Sequence, residues 1–240
     1  ATSFIGDGSQ LTNLPSSGAD SPFSYNSNEA GGIEVADYTT ASGSRAFAVG
    51  NDNLASGSSS TAMGRGTIAS GDDSTALGAN TEASGIASSA MGERTTASGY
   101  YSTAMGYYTT ASGDFSTASG EGTTASGMVS TAMGAGTTAN GMFSTAMGYF
   151  ITASDRSSLI IGQHNLLGST VTNSATDFSL ENTAFVIGNG TDSENRSDAL
   201  VVKFNGDATL AGSMTATSFI GDGSQLTNLP SSGADSPFSY

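Results

Sequence analysis

The tripeptide Ala-x-Gly recurs every seven residues from Ala41 to Gly148, sixteen times without a gap. The middle residue alternates between a small polar residue, usually serine, and a residue that is usually large and apolar. The true period is therefore fourteen residues, built from the two halves S-T-A-M-G-x-x and T-T-A-S-G-x-x. A repeat this strict predicts a chain that extends in one dimension by stacking similar units.

A seven-residue period also occurs in coiled coils, but this repeat does not suit a helix. A coiled coil needs two large apolar residues per heptad. Each heptad here instead contains a glycine together with serine or threonine, which lower helix stability. Segments such as Ser102–Gly106 and Thr109–Gly113 are short strand candidates, each followed by two variable residues. The sequence therefore predicts an all-β solenoid (a β-roll) with two strands and two turns in each coil of fourteen residues.

The alternation of side chains along a strand predicts which residues point inward. The alanines recur in both half-repeats, so we expect them to fill the interior, where so short a coil leaves room only for a methyl group. The large residues at the x position then face outward as a contiguous apolar column, which predicts an interface. These candidate interface residues are Val49, Met63, Leu77, Met91, Met105, Met133 and Met147, with Ser119 as an interruption.

Association between rolls is expected because a narrow alanine core buries too little apolar surface to stand alone. Four aromatic residues in the variable pairs, Tyr107, Tyr108, Tyr149 and Phe150, are candidates for contact with a partner surface. They lie in the more polar of the two variable columns, which favours exposure. Burial at the seam between associated rolls is an equally good interpretation of the same residues.

The alternation of S-T-A-M-G with T-T-A-S-G over residues 39–154 resembles the head domain of YadA-type trimeric autotransporter adhesins. The resemblance implies a left-handed parallel β-roll and a homotrimer, with three rolls intertwined or side by side around a threefold axis. It also implies that the apolar column is the trimer interface. Thr61, Thr75 and Thr103 stand where the family pattern has valine.

The first twenty-five residues, 1–25, are identical to residues 216–240. This duplication predicts one unit of an end-to-end tandem array with a period of 215 residues. The segments 2–15 and 217–230 resemble the F-x-G-D-G-S-x-L-T-N-L linkers of phage tail fibres and large bacterial surface proteins, which implies slender β-rich stalks. We therefore predict a stalk at 1–38, a head with a C-terminal cap at 39–162, a β-rich neck at 163–215 and the next repeat at 216–240. A β-hairpin is predicted within the neck at 199–210, with its turn at Asn205-Gly206-Asp207.

Composition limits the partners of this chain. A net charge of −15 opposes binding to nucleic acid or to an anionic membrane. No apolar stretch approaches the roughly 18–20 residues that span a membrane, so no membrane insertion is predicted. The absence of cysteine is compatible with an extracellular location, at a cell surface or in a virion fibre.

No catalytic residue, metal ligand or cofactor is predicted. The single histidine, His164, is interpreted as a surface residue in a loop after the cap. A serine triad needs a histidine held by a carboxylate, and no acid lies near His164 in sequence. The acidic residues that a glycan hydrolase would use are scattered over different columns of the repeat. They are Asp72, Asp73, Glu82, Glu93, Asp114 and Glu121.

The predicted function is a structural and adhesive unit of a long extracellular fibre, attaching to a host surface or glycan through many weak contacts. Ice binding is an alternative, because Thr96, Thr110, Thr124 and Thr138 recur at the coil spacing. The same column contains Leu54, Ile68 and Glu82, which interrupt that array. A phage tail fibre or tailspike that binds a host glycan is the other alternative.

Overall fold

The computed structural model describes residues 24–25, 33–35, 38–167 and 174–218. These residues form strands and turns and contain no helix. Most of the predicted stalk at 1–38 and of the next repeat at 216–240 lies outside the described residues. The predicted domain boundaries stay predictions.

Each fourteen-residue coil contains one long and one short strand, as the two unequal half-repeats predict. The long strands are Phe47–Asn51, Thr61–Arg65, Thr75–Ala79, Ser89–Glu93, Thr103–Tyr107, Thr117–Glu121, Thr131–Ala135, Thr145–Tyr149 and Leu159–Gln163. The short strands are Thr40–Ala41, Leu54–Ala55, Ile68–Ala69, Glu82–Ala83, Thr96–Ala97, Thr110–Ala111, Thr124–Ala125, Thr138–Ala139 and Thr152–Ala153. We call their two sheets the long-strand sheet and the short-strand sheet.

The coils stack in parallel with an offset of fourteen residues. Met91 pairs with Met105 in the long-strand sheet, and Thr96 pairs with Thr110 in the short-strand sheet. The short-strand sheet has nine strands within the described residues, one per coil. The predicted parallel β-solenoid of fourteen residues per coil is confirmed.

The core consists of small residues stacked in columns. The alanines of the Ala-x-Gly repeat are completely buried in both strands from Ala48 to Ala146, as predicted. The prediction that only a methyl group fits was wrong. Serines that precede the long strands, such as Ser102, and threonines that precede the short strands, such as Thr109, are also fully buried. The interior is therefore lined by hydroxyl groups as well as methyl groups.

The buried hydroxyl columns are only partly hydrogen-bonded. In the first coils, Thr67 Oγ1 donates to Asn53 Oδ1 at 2.8 Å, and the Asn53 amide donates to the carbonyl oxygens of Val49 and Gly64. Further along the roll, the Thr109 and Ser102 hydroxyls have no hydrogen-bond partner among the described residues. Buried polar groups without a partner cost free energy, so the core is less stable than its tight packing suggests.

Glycine is required where neighbouring coils come closest. Gly106 has φ +122°, and a Cβ added there would overlap the carbonyl oxygen of Gly120 in the next coil. The turns, in contrast, place bulky residues in the left-handed region, including Val129 at φ 56° and Phe143 at φ 61°. Such conformations are unfavourable for bulky residues, so the stacked coils hold the turns in place.

The long-strand sheet continues beyond the short-strand sheet at the C-terminal end. Strand Thr183–Asn189 pairs in parallel with Leu159–Gln163, one position past the predicted cap. Strands Asp198–Lys203 and Ala208–Leu210 follow as an antiparallel hairpin, as predicted. At the other end, Ile33–Val35 pairs in parallel with the first long strand and antiparallel with Ser24–Tyr25.

Candidate interaction surfaces

The outer face of the long-strand sheet carries the predicted apolar column. Register places Val49, Met63, Leu77, Met91, Met105, Ser119, Met133 and Met147 in one line, which we call the methionine column. Met63, Met133 and Met147 are 38–43% exposed. The other members are half-buried. A single chain thus presents a strip of apolar side chains that Ser119 interrupts.

A second column on the same face consists mainly of threonine. Thr61, Thr75 and Thr103 lie two residues before the methionine column and are half-buried. Neither column contains a charged residue between Phe47 and Met147. These two columns are therefore uncharged, which suits close contact with the same columns of another chain.

We call the turn from each long strand into the next short strand the first corner. Tyr107 and Tyr108 meet edge to face here, with ring centroids 4.5 Å apart. Tyr149 and Phe150 repeat this arrangement three coils later, at 4.7 Å. All four side chains are 40–51% exposed in the single chain. Their role as contact residues stays a prediction.

His164 lies in the same first-corner column, one coil after Phe150. It is only 5% exposed, so the interpretation as a surface residue was wrong. Its imidazole stacks on the Phe150 ring, and its main-chain carbonyl accepts a hydrogen bond from Ser197 N. The loop around Ser197 therefore contacts the main chain at His164. The buried imidazole, in contact with Phe150 and Tyr149, acts here as a packing element.

We call the turn from each short strand back to the next long strand the second corner. Here side chains of successive coils contact one another. Tyr101 and Phe115 stack with centroids 5.3 Å apart and planes 6° from parallel. Arg156 lies over the Phe143 ring at 5.3 Å. Asp114 Oδ1 accepts a hydrogen bond from Tyr100 N of the preceding coil. These contacts cross-link successive turns along the outside of the roll.

The repeat sequence matches the model of a known family. The family model of the YadA head domain repeat (2 copies) matches residues 55–81, 83–109, 111–136 and 125–150. Residues 55–150 form a YadA-like head. The matched ranges cover less than half of the chain, so this assignment concerns the roll. No curated protein sequence gave a significant match to the chain.

Over residues 55–150 the roll resembles the repeat of an adhesin head. The acidic side chains of the roll do not come together at one place. Asp72 and Asp114 lie at the second corner, Glu93 and Glu121 end long strands, and Glu82 projects from the short-strand sheet. Asp72 Oδ1 accepts a hydrogen bond from Ser58 N, so it stabilises a turn. Within the described residues, no three acidic or histidine side chains come together as metal ligands would.

The threonine array on the short-strand sheet is interrupted, as the sequence indicates. Thr96 pairs with Glu82 on one side and with Thr110 on the other. Glu82 is exposed, and Leu54 and Ile68 continue the column toward the N-terminus. Only part of this face therefore carries threonine.

A cavity of about 290 Å³ opens at the C-terminal end of the roll, where the short-strand sheet ends. Its walls include Ile160, Val186 and Asp155, whose Oδ2 accepts a hydrogen bond from Thr183 N. Asp198 also lines it, and burial raises the pKa of this carboxyl group, although Leu166 N donates to it. The cavity is the open end of the solenoid interior.

Asp192 lies outside this cavity, in the loop between the last parallel strand and the hairpin. Hydrogen bonds from the Asn195 side chain and from the Asn195 and Glu194 amides lower its pKa to about 2. The carboxylate thus holds a tight polar loop. Among the described segments, no helix is long and apolar enough to cross a membrane.

Proposed function

We propose that this chain is an adhesive module of an extracellular fibre, located at a cell surface or on a virion. Three copies associate through the methionine column, and modules follow one another end to end with a period of 215 residues. Attachment to a host surface or glycan is multivalent, so many weak contacts act together. The YadA-like head and the identity of residues 1–25 with 216–240 support this proposal.

The observation that carries the homotrimer is the half-exposed methionine column beside an uncharged column of mainly threonine. Full burial of a methionine side chain contributes about 1.5–3 kcal/mol. Burying the remaining exposed two fifths of Met133 therefore contributes about 1 kcal/mol, repeated along the column on each chain. An alanine core of this width gains little apolar burial by itself, so association supplies a large part of the stability.

The homotrimer is tested by light scattering of the purified chain. We expect a mass three times the 23.8 kDa of one chain. The double variant Met91→Glu with Met133→Glu is expected to lower that mass, because it would bury carboxylates at the interface. The matched control is Thr110→Glu, since Glu82 already occupies the same column of the short-strand sheet. A wild-type chain that is monomeric at micromolar concentration would contradict the trimer.

Multivalent attachment is tested separately, on beads that display the wild-type chain or the methionine-column variant. We expect wild-type beads to bind an epithelial cell layer at least about 100-fold more strongly than the dissociated variant, because avidity depends on the number of linked contacts. Equal attachment by both would contradict the multivalent mechanism and leave the trimer itself unaffected.

A further inference from the structure

The first-corner column contains two aromatic rings separated by two glycines. Tyr108, Gly122, Gly136 and Phe150 occupy equivalent positions in four successive coils, each linked by a main-chain hydrogen bond of 2.8–3.0 Å to the preceding coil. At the usual spacing of stacked strands, Tyr108 and Phe150 begin about 14 Å apart. Because the two intervening residues have no side chains, a gap remains between the rings. We call this gap the corner notch.

Both rings are supported from outside the notch. The Arg94 guanidinium lies over the Tyr108 ring at 5.0 Å and donates a hydrogen bond to its hydroxyl group. His164 stacks on Phe150 with planes 3° from parallel and centroids 5.5 Å apart. Arg94 lies one coil before Tyr108 and His164 one coil after Phe150, so both supporting groups lie outside the interval between the two rings.

The floor of the notch is main chain. A Cβ on Gly136 would lie 2.8 Å from the Phe150 ring, which shows that this ring leans over Gly136 and narrows the gap. At Gly122, the nearest atom to an added Cβ is Gly136 N at 4.0 Å, so the space above Gly122 is open. Glu121 is exposed beside it, at the end of its long strand. The notch therefore combines two aromatic faces with one carboxylate.

We propose that the corner notch binds a neutral sugar ring of a host glycan. A hexopyranose presents an apolar C–H face that packs on aromatic rings, and hydroxyl groups that donate hydrogen bonds to a carboxylate such as Glu121. The net charge of −15 disfavours sulfated or sialylated glycans. This inference rests on the proposed adhesive function and assigns its contact site.

The second corner of the same coils shows why the notch is distinctive. There, Tyr101 stacks directly on Phe115 with no intervening glycine, so no ligand fits between the rings. Tyr101 and Tyr108 share the same backbone conformation, with φ 53° at each, and both are exposed. Tyr101 is therefore the matched control for Tyr108.

The test is saturation-transfer NMR of the full chain with cellotriose and chitotriose, and with a heparin hexasaccharide as the anionic comparison. We expect at least one neutral sugar to bind with a Kd on the order of 1 mM, and heparin not to bind. Tyr108→Asn is expected to weaken binding at least tenfold, whereas Tyr101→Asn leaves it unchanged. Asparagine suits both positions because it tolerates positive φ.

Filling the notch is a second test that keeps the fold. Gly122→Tyr adds a ring where the backbone, at φ 59°, is like that of Tyr108 and where space is open. This variant is expected to fold and to keep the oligomeric mass of the wild type, and to lose sugar binding at least tenfold. Retained binding would overturn the proposal.

Two further outcomes overturn the proposal as well. One is that neither neutral sugar binds the wild-type chain. The other is that a triarginine peptide binds at Tyr108 and Glu121 while the sugars do not, because cation–π contact then explains the site. In both cases a trimeric mass and bead attachment would still support the proposed adhesive function. Failure of the adhesive proposal and failure of the sugar-binding proposal are therefore distinguishable.

Discussion

The Phe150 ring and the His164 imidazole lie parallel, 3° apart in plane and 5.5 Å apart in centroid, at the C-terminal end of the roll. Tyr149 meets the same imidazole edge to face at 5.3 Å. One histidine thus anchors the last aromatic pair of the head to the loop that follows it. Because the imidazole is buried, we interpret this contact as one that stabilises the fold.

Replacement of His164 by asparagine is expected to destabilise the chain. Asparagine accepts the backbone conformation of φ 43° but leaves a void beneath Phe150, so we expect a loss of about 1–3 kcal/mol. Thermal unfolding followed by near-ultraviolet circular dichroism measures it. Ser157→Asn is the control, since Ser157 has φ 62° and is exposed. An equal effect of both variants would show that the ring contact contributes little.

Gly106→Ala is expected to disrupt the roll. The added Cβ would overlap the Gly120 carbonyl oxygen, and alanine is strained at φ +122°. Together these effects cost about 3 kcal/mol or more. Urea denaturation measures the free energy of unfolding. Gly122→Asn, at φ 59° with open space around it, is expected to change stability by less than about 1 kcal/mol. If Gly106→Ala is tolerated equally well, the coils are not held as closely as described.

Thr109→Val is expected to stabilise the chain by about 1–2 kcal/mol. The Thr109 side chain is fully buried, and its hydroxyl has no hydrogen-bond partner among the described residues, so valine removes a desolvated polar group at nearly equal volume. Thr67→Val in the same column is expected to be destabilising instead, because the Thr67 hydroxyl donates to Asn53 Oδ1. Chemical denaturation of both variants checks the difference. Destabilisation by Thr109→Val would reveal a partner for that hydroxyl.

Asp198→Asn is expected to raise the melting temperature at pH 7. Burial raises the pKa of Asp198 above 3.8, so the folded chain favours the protonated acid. Protonated Asp198 therefore stabilises the folded chain fully at a pH below the pKa of Asp198 in the unfolded chain. This stabilisation is lost as the pH rises through the pKa of Asp198 in the folded chain. The advantage of asparagine should therefore disappear near pH 3. Asp155, Glu181 and Lys203 line the same cavity and are unchanged in this variant.

Asp192→Asn is the control for this pH dependence, with the opposite sign. Hydrogen bonds from Asn195 and Glu194 lower the pKa of Asp192 to about 2, so its stabilising effect is present above 3.8 and lost as the pH falls toward 2. We therefore expect Asp192→Asn to lower the melting temperature at pH 7. Melting curves from pH 3 to pH 7 measure both variants. If both substitutions changed the melting temperature at pH 7 in the same direction, the environments described for Asp198 and Asp192 would be contradicted.

Much of the roll could be predicted because its repeat is local. Glycine and variable pairs mark every turn, and alternation within Thr103-Ala104-Met105 places alanine inside and methionine outside. The hairpin at 199–210 carries an ordinary turn signal at Asn205-Gly206-Asp207. Each of these predictions needs only neighbouring residues, and the structure confirms them.

The candidate site was less predictable. Tyr108 and Phe150 were identifiable as corner aromatics, but the notch depends on what lies between them in the stack. The fourteen-residue period aligns Gly122 and Gly136 with both rings, but it does not show the space around them. The alignment of four successive coils shows that they leave a gap, and the supporting contacts from Arg94 and His164 require side-chain positions.

The sequence by itself determined the fourteen-residue coil, the alanine columns and the outward methionine column, because period and alternation are properties of contiguous residues. Only the tertiary structure decided that Ser102 and Thr109 turn inward and that His164 is buried, with its main-chain oxygen bonded to Ser197 N. Burial depends on which segments pack against a residue. Ser197 lies more than thirty residues from His164 in the chain, beyond the reach of any local pattern.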